Sequence, residues 1–136
     1  MRIVAALFID NIDLQSVPGP STRIDITGIQ FSAPAPAPVP VTIGPHLVVL
    51  VWNPPGGKEM GALEVVFTAG SSPDEEPQGE PLARNVQMVT IEPGKFSYQL
   101  VRPELQFEEY GTILARCRIG DGPTHLVPYT LLPPVA

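Results

Sequence analysis

Proline decides what this chain can become. Eighteen of its 136 residues are proline and twelve more are glycine. A proline inside a helix removes a backbone donor and clashes with the preceding turn. Helices of ordinary length barely fit between these interruptions. Val, Ile and Thr make up 32 of the remaining residues, and such β-branched side chains suit a pleated strand. Leu, Ile, Val and Phe supply 41 residues, about 30% of the chain. That lies well above the roughly 20% below which chains stay disordered. A chain of this length makes one domain. The expectation is a single all-β domain over 1–136. Its architecture is predicted as a two-sheet antiparallel β-sandwich, immunoglobulin-like or jelly-roll, with seven or eight strands.

Alternation of apolar and polar residues, bounded by turn signals, places the strands. They are predicted at Arg2 to Ile9, Thr22 to Phe31, Pro45 or His46 to Trp52, Ala62 to Ala69, Asn85 to Ile91, Phe96 to Val101, Thr112 to Ile119 and His125 to Leu131. Gly28 marks a bulge or bend, and Pro128 argues for an edge position in the last strand. Asp121-Gly122 is a hairpin turn signal. The segment 33–40 reads Ala-Pro-Ala-Pro-Ala-Pro-Val-Pro. It is predicted as a stiff polyproline II crossover of about 25 Å. Its prolines recur at every second position rather than as Pro-x-x-Pro, which disfavours a proline-recognition motif. The segment 70–82 carries Asp74, Glu75, Glu76 and Glu80 among Ser, Pro and Gly. It is predicted as a solvated, mobile acidic loop.

Charge and cysteine exclude several functions. The net charge is −6, with two lysines and six arginines. Nucleic acid and anionic membranes demand clustered Lys/Arg, and the densest cluster here is Arg116 and Arg118. No nucleic acid and no membrane is therefore expected as partner. Cys117 is the single cysteine, so no internal disulfide forms, which favours a reducing, cytoplasmic compartment. The apolar stretch Ile3 to Ile9 is too short for a signal peptide and runs into Asp10 and Asp13, so it reads as a first strand. No apolar run of about 18 residues occurs.

Few residues offer chemistry. Asp10 and Asp13 follow the first strand and Asp25 sits on the second, but these carboxylates lack the spacing of a calcium loop. Glu108-Glu109 would face opposite ways on a strand, which disfavours a shared acid–base site. His46 and His125 stand far apart in sequence. Cys117 shares its strand face with Ile113, Ala115 and Ile119, so a buried, inert thiol is expected. Catalytic and phosphate-binding motifs are absent. No catalytic residue, cofactor or metal is assigned, and no enzyme is expected.

Two groups of residues carry a resemblance. One is Leu105-Gln106-Phe107-Glu108-Glu109-Tyr110-Gly111-Thr112-Ile113, followed by Arg118-Ile119-Gly120-Asp121-Gly122 and Leu126-Val127-Pro128-Tyr129. The other is Ala6-Leu7-Phe8-Ile9-Asp10 with Ile26-Thr27-Gly28-Ile29. Together they resemble a family of small bacterial β-sandwich proteins of unassigned function. The resemblance implies a fold and carries no site residue across.

A strand of a simple sandwich shows one wet face, and three strands here show none. Ile3, Ala5 and Leu7 oppose Val4, Ala6 and Phe8. Leu47 to Trp52 is apolar throughout. Val86 and Met88 oppose Val89 and Ile91. Exposed apolar patches beyond a few hundred Å² are rare on monomers. The expected function is a non-catalytic protein-interaction or self-assembly module that forms a homodimer, with Val49, Leu50, Val51 and Trp52 as interface candidates. The alternative is a carbohydrate or small-ligand binding sandwich centred near Trp52.

Overall fold

The computed structural model describes residues 1–18, 23–70 and 80–135. Among these residues the structure is all-β and has no helix. The strands are β1 (Arg2–Gln15), β2 (Arg23–Gln30), β3 (Ser32–Pro34), β4 (Val41–Ile43), β5 (His46–Trp52), β6 (Met60–Ala69), β7 (Ala83–Thr90), β8 (Phe96–Val101), β9 (Leu105–Phe107), β10 (Gly111–Ile119) and β11 (His125–Leu132). The expected seven or eight strands in two sheets are thus corrected to eleven strands in three sheets among the described residues. The additions are the three-residue strands β3, β4 and β9. Three residues are too few to display an alternation. Of the acidic segment 70–82, residues 71–79 lie outside the described residues.

The sheets run β2-β1-β5-β8, β3-β11-β10-β6-β7 and β4-β9. The two larger sheets line one core. Phe8 of β1 sits 5.0 Å from Tyr129 of β11 and 6.5 Å from Phe67 of β6, ring centre to ring centre. Leu47, Val49 and Val51 enter this core from one sheet, and Leu63, Val65 and Phe67 from the other. Leu105 and Phe107 of the smallest sheet close it. Each set obeys the period-2 rule of a strand. β1 breaks the rule once. A bulge between Ile3 and Ala5 leaves Val4 out of register and 58% exposed. Parity shifts there, so Ile3, Ala6 and Phe8 share the core side. The split expected from simple alternation, Ile3, Ala5 and Leu7 against Val4, Ala6 and Phe8, is corrected accordingly.

The proline run begins as a strand rather than as a free polyproline segment. β3 pairs with β11 in parallel, Ser32 beside Thr130 and Pro34 beside Leu132. That parallel pair is an exception to the antiparallel sheets expected. The Ala35 N–H donates to the Leu132 carbonyl at 2.8 Å, and the Thr130 N–H donates to the Phe31 carbonyl at 3.0 Å. Odd-numbered residues therefore aim their backbone groups at β11, and Pro34 turns its missing donor outward. Alternating Ala-Pro matches the two-residue strand period, so it is compatible with an edge. Pro128 follows the same logic. It lies in β11 opposite Leu114, and β3 reaches only Thr130 to Leu132. At Pro128 the outer side of β11 has no strand beside it.

Asn53 organises the turn after β5. It is fully buried. Its Nδ2 donates to the Lys58 carbonyl at 2.9 Å and the Ile91 carbonyl at 2.7 Å. Its backbone N–H donates to the Lys95 carbonyl and its carbonyl accepts from Gly94. A Cβ on Gly57 would collide with Asn53 Oδ1, so glycine is required there.

Candidate interaction surface

The four-stranded sheet has a second apolar face, turned away from the core. Register and alternation define it. On β5 the residues Val48, Leu50 and Trp52 alternate with the core residues Leu47, Val49 and Val51. Leu100, Tyr98 and Phe96 of β8 stand beside Val48, Leu50 and Trp52. On the other side, Leu7 stands beside Val48, Ala5 beside Leu50 and Arg2 beside Trp52. Ile9 and Ile29 extend the face onto β2. Val48 is fully buried and Ile9 nearly so, yet neither belongs to the main core cluster. Leu7, Leu50, Phe96, Tyr98 and Leu100 are half-buried, while Trp52 and Ile29 are 37% and 49% exposed.

The structure divides the four interface candidates into two pairs. Val49 and Val51 point into the core and are fully buried. Leu50 and Trp52 lie on the outer face. The other unwetted strand, β7, splits the same way. Val89 is buried, while Val86 and Met88 are 57% and 61% exposed on the opposite side.

The remaining chemical candidates are dispersed. Asp13 and Asp25 face each other across the β1–β2 ladder. Asp13 accepts from Asn11 at 3.2 Å and Asp25 pairs with Arg23 at 3.5 Å. Asp10 alternates to the other side of the ribbon, accepts from Gln30 and fills the space a Cβ would take on Gly28, which has φ +70°. The three carboxylates do not converge. Among the described residues no group of three or more His, Cys, Asp and Glu side chains is arranged to hold a metal. His46 stands beside Ile9, and His125 beside Cys117 in the other large sheet.

Glu108 and Glu109 overturn the alternation argument made for them. They sit in a bend between β9 and β10 rather than on a strand. Both line one cleft of 370 Å³ with Gln106 and Tyr110. Gln106 donates to Glu108 at 2.8 Å. Two further clefts, of 380 and 490 Å³, open beside Met1 and Ile119. Trp52 lines none of the three.

Cys117 lies where the sequence places it, fully buried on the core side of β10. Burial pushes its thiol up from 9.0 to about 12. Native protein should therefore react slowly with thiol reagents and denatured protein quickly. Between pH 9 and 12 only the unfolded chain releases this proton, so stability should fall as pH rises, by about 1.4 kcal/mol per unit. Burial and the nearby Asp10 carboxylate also raise Tyr129, which adds to the same trend. Denaturant titrations of Cys117→Ala and the parent across pH 8–11 isolate the thiol. The variant should show the shallower decline, and equal slopes would refute the assignment.

Among the described residues no helix is long and apolar enough to cross a membrane. Searches of protein-family models, curated proteins and solved structures with this chain return no match.

Proposed function

We propose that this chain is a non-catalytic interaction module that self-associates through the outer face of its four-stranded sheet. In this reading the two larger sheets are the layers of a β-sandwich, and the module works in a reducing, cytoplasmic setting suited to its free, buried Cys117. One observation carries the proposal. Val48, Leu50 and Trp52, flanked by Leu100, Tyr98 and Phe96, form a continuous apolar row away from the core. Solvated sheet faces alternate to polar residues, and this one does not. Leu50→Glu is the test. The variant should stay folded by circular dichroism and run as a monomer in light scattering, while the parent runs as a dimer. A parent that is monomeric at about 100 µM, where even a modest affinity would register, overturns the reading.

A second reading has its own observation. Trp52, Phe96 and Tyr98 form an exposed or half-buried aromatic group on that face, of the kind that stacks on sugar rings. Titration of tryptophan fluorescence with oligosaccharides distinguishes the two. A saturable shift of the Trp52 emission that Tyr98→Ala weakens favours sugar binding, and an unchanged spectrum leaves self-association.

A further inference from the structure

We infer that the cleft between the start of β1 and the turn joining β10 to β11 binds a small organic carboxylate, with its apolar body on Ile3 and Ile119 and its charged group at Arg2 and His125.

The cleft opens at one end of the core, between the two large sheets. Ile3 on β1 and Ile119, the last residue of β10, are core residues and form its floor. His125 begins β11 and stands beside Cys117 across the ladder. Cys117 faces the core, and residues paired directly across a ladder share a face. His125 therefore points inward as well, and it is half-buried. Pro123 adds an apolar wall, and Arg2 stands exposed at the rim. Arg2 precedes Ile3, so alternation keeps it outside the core.

The donors of this cleft have no acceptor of their own. Among the described residues neither the Arg2 nor the His125 side chain has a hydrogen bond or an ion pair. An imidazole carries at least one ring N–H in either protonation state. No carboxylate lines the cleft. Asp121, in the same turn, lines the neighbouring 380 Å³ cleft together with Lys58. The 370 Å³ cleft holds Glu108 and Glu109 and no cation. The chain as a whole has a net charge of −6. A cleft with basic groups and no acidic one, in so acidic a chain, selects an anion.

Its size and layout select the kind of anion. The volume is 490 Å³, within the range of about 300–1,000 Å³ common for small-molecule sites. A dry cavity of about 150 Å³ already holds benzene, so one ring or a short alkyl chain fits together with its carboxylate. The charged group stays at the wet mouth and loses little hydration. There it meets the guanidinium fork of Arg2, whose geometry matches two carboxylate oxygens, and a ring N–H of His125 from within. The apolar body goes deeper and displaces water from above Ile3 and Ile119.

The two histidines of the chain supply the probe and its control. His46 begins β5, whereas Trp52, the ladder neighbour of Arg2, ends it, so His46 is remote from the cleft. Hexanoate added to the full chain at fixed ionic strength should shift the ring-proton resonances of His125 and the methyl resonances of Ile3 and Ile119. The shifts should saturate with a dissociation constant below about 10 mM, and His46 should not move. Acetate lacks the apolar body and 1-hexanol lacks the charge, so each should bind at least about tenfold more weakly. Arg2→Gln and His125→Gln should each weaken hexanoate about tenfold, read on the isoleucine methyls. Arg2→Gln is an exposed change and keeps the test decisive if His125→Gln disturbs β11. The proposal is overturned by no saturable shift up to about 20 mM hexanoate, by equal shifts at His46, by 1-hexanol binding as tightly as hexanoate, or by undiminished binding in Arg2→Gln.

Discussion

Val49→Glu should abolish folding. Val49 is fully buried in the core, between Ala6 of β1 and Gln99 of β8. A carboxylate there loses its hydration and gains no cation. Burying such a charge costs several kcal/mol even after relaxation. Lost packing adds to this, so the penalty should exceed about 5 kcal/mol, comparable to the whole stability of a small domain. The variant should give a disordered circular dichroism spectrum and no dispersed amide resonances. Leu50→Glu, one residue later, should keep both signals. A folded Val49→Glu chain would mean that the assigned faces of β5 are reversed.

Phe8→Ala should cost about 3–5 kcal/mol, the range for removing a buried aromatic ring. Phe8 is 1% exposed. It is the ring through which β1 touches both β6 and β11, by way of Phe67 and Tyr129. Its removal opens a void between the two large sheets at a point where neither backbone can close without breaking register. Urea unfolding should show the midpoint falling with little change in slope. A loss under about 1 kcal/mol would show that the ring is peripheral to the fold.

The sequence makes some of these features legible and hides others for physical reasons. Dense proline and β-branched alternation declare an all-β chain, the bounds of β8 match those expected from the turns around it, and β5 takes the second of the two starts left open, His46 rather than Pro45. The inward side of β10, with Ile113, Ala115, Cys117 and Ile119, also follows from alternation. Alternation separates Val49 from Leu50 but does not say which of them faces the core. That choice depends on the sheet opposite, a non-local fact. The bulge at Val4 is invisible because no glycine marks it, and it reverses the parity of the first three residues of β1. Glu108 and Glu109 share a cleft because the chain bends there, whereas the residue pattern resembles a strand entry.

The parallel strand β3 bears on the behaviour of the protein in concentrated solution. A bare strand edge is a template on which another chain can build. Here the five-stranded sheet ends on the Ser32–Pro34 segment, whose outward position at Pro34 has no N–H to offer. Just before the strand β3 covers, β11 turns Pro128 toward the same open side. Growth of a cross-β stack from this edge is thus blocked at successive rungs by residues that also serve the native pairing. Among the described residues, the strand edges left for fibril formation, if heat or acid drives it, are β7, β2, β8 and the β4–β9 pair.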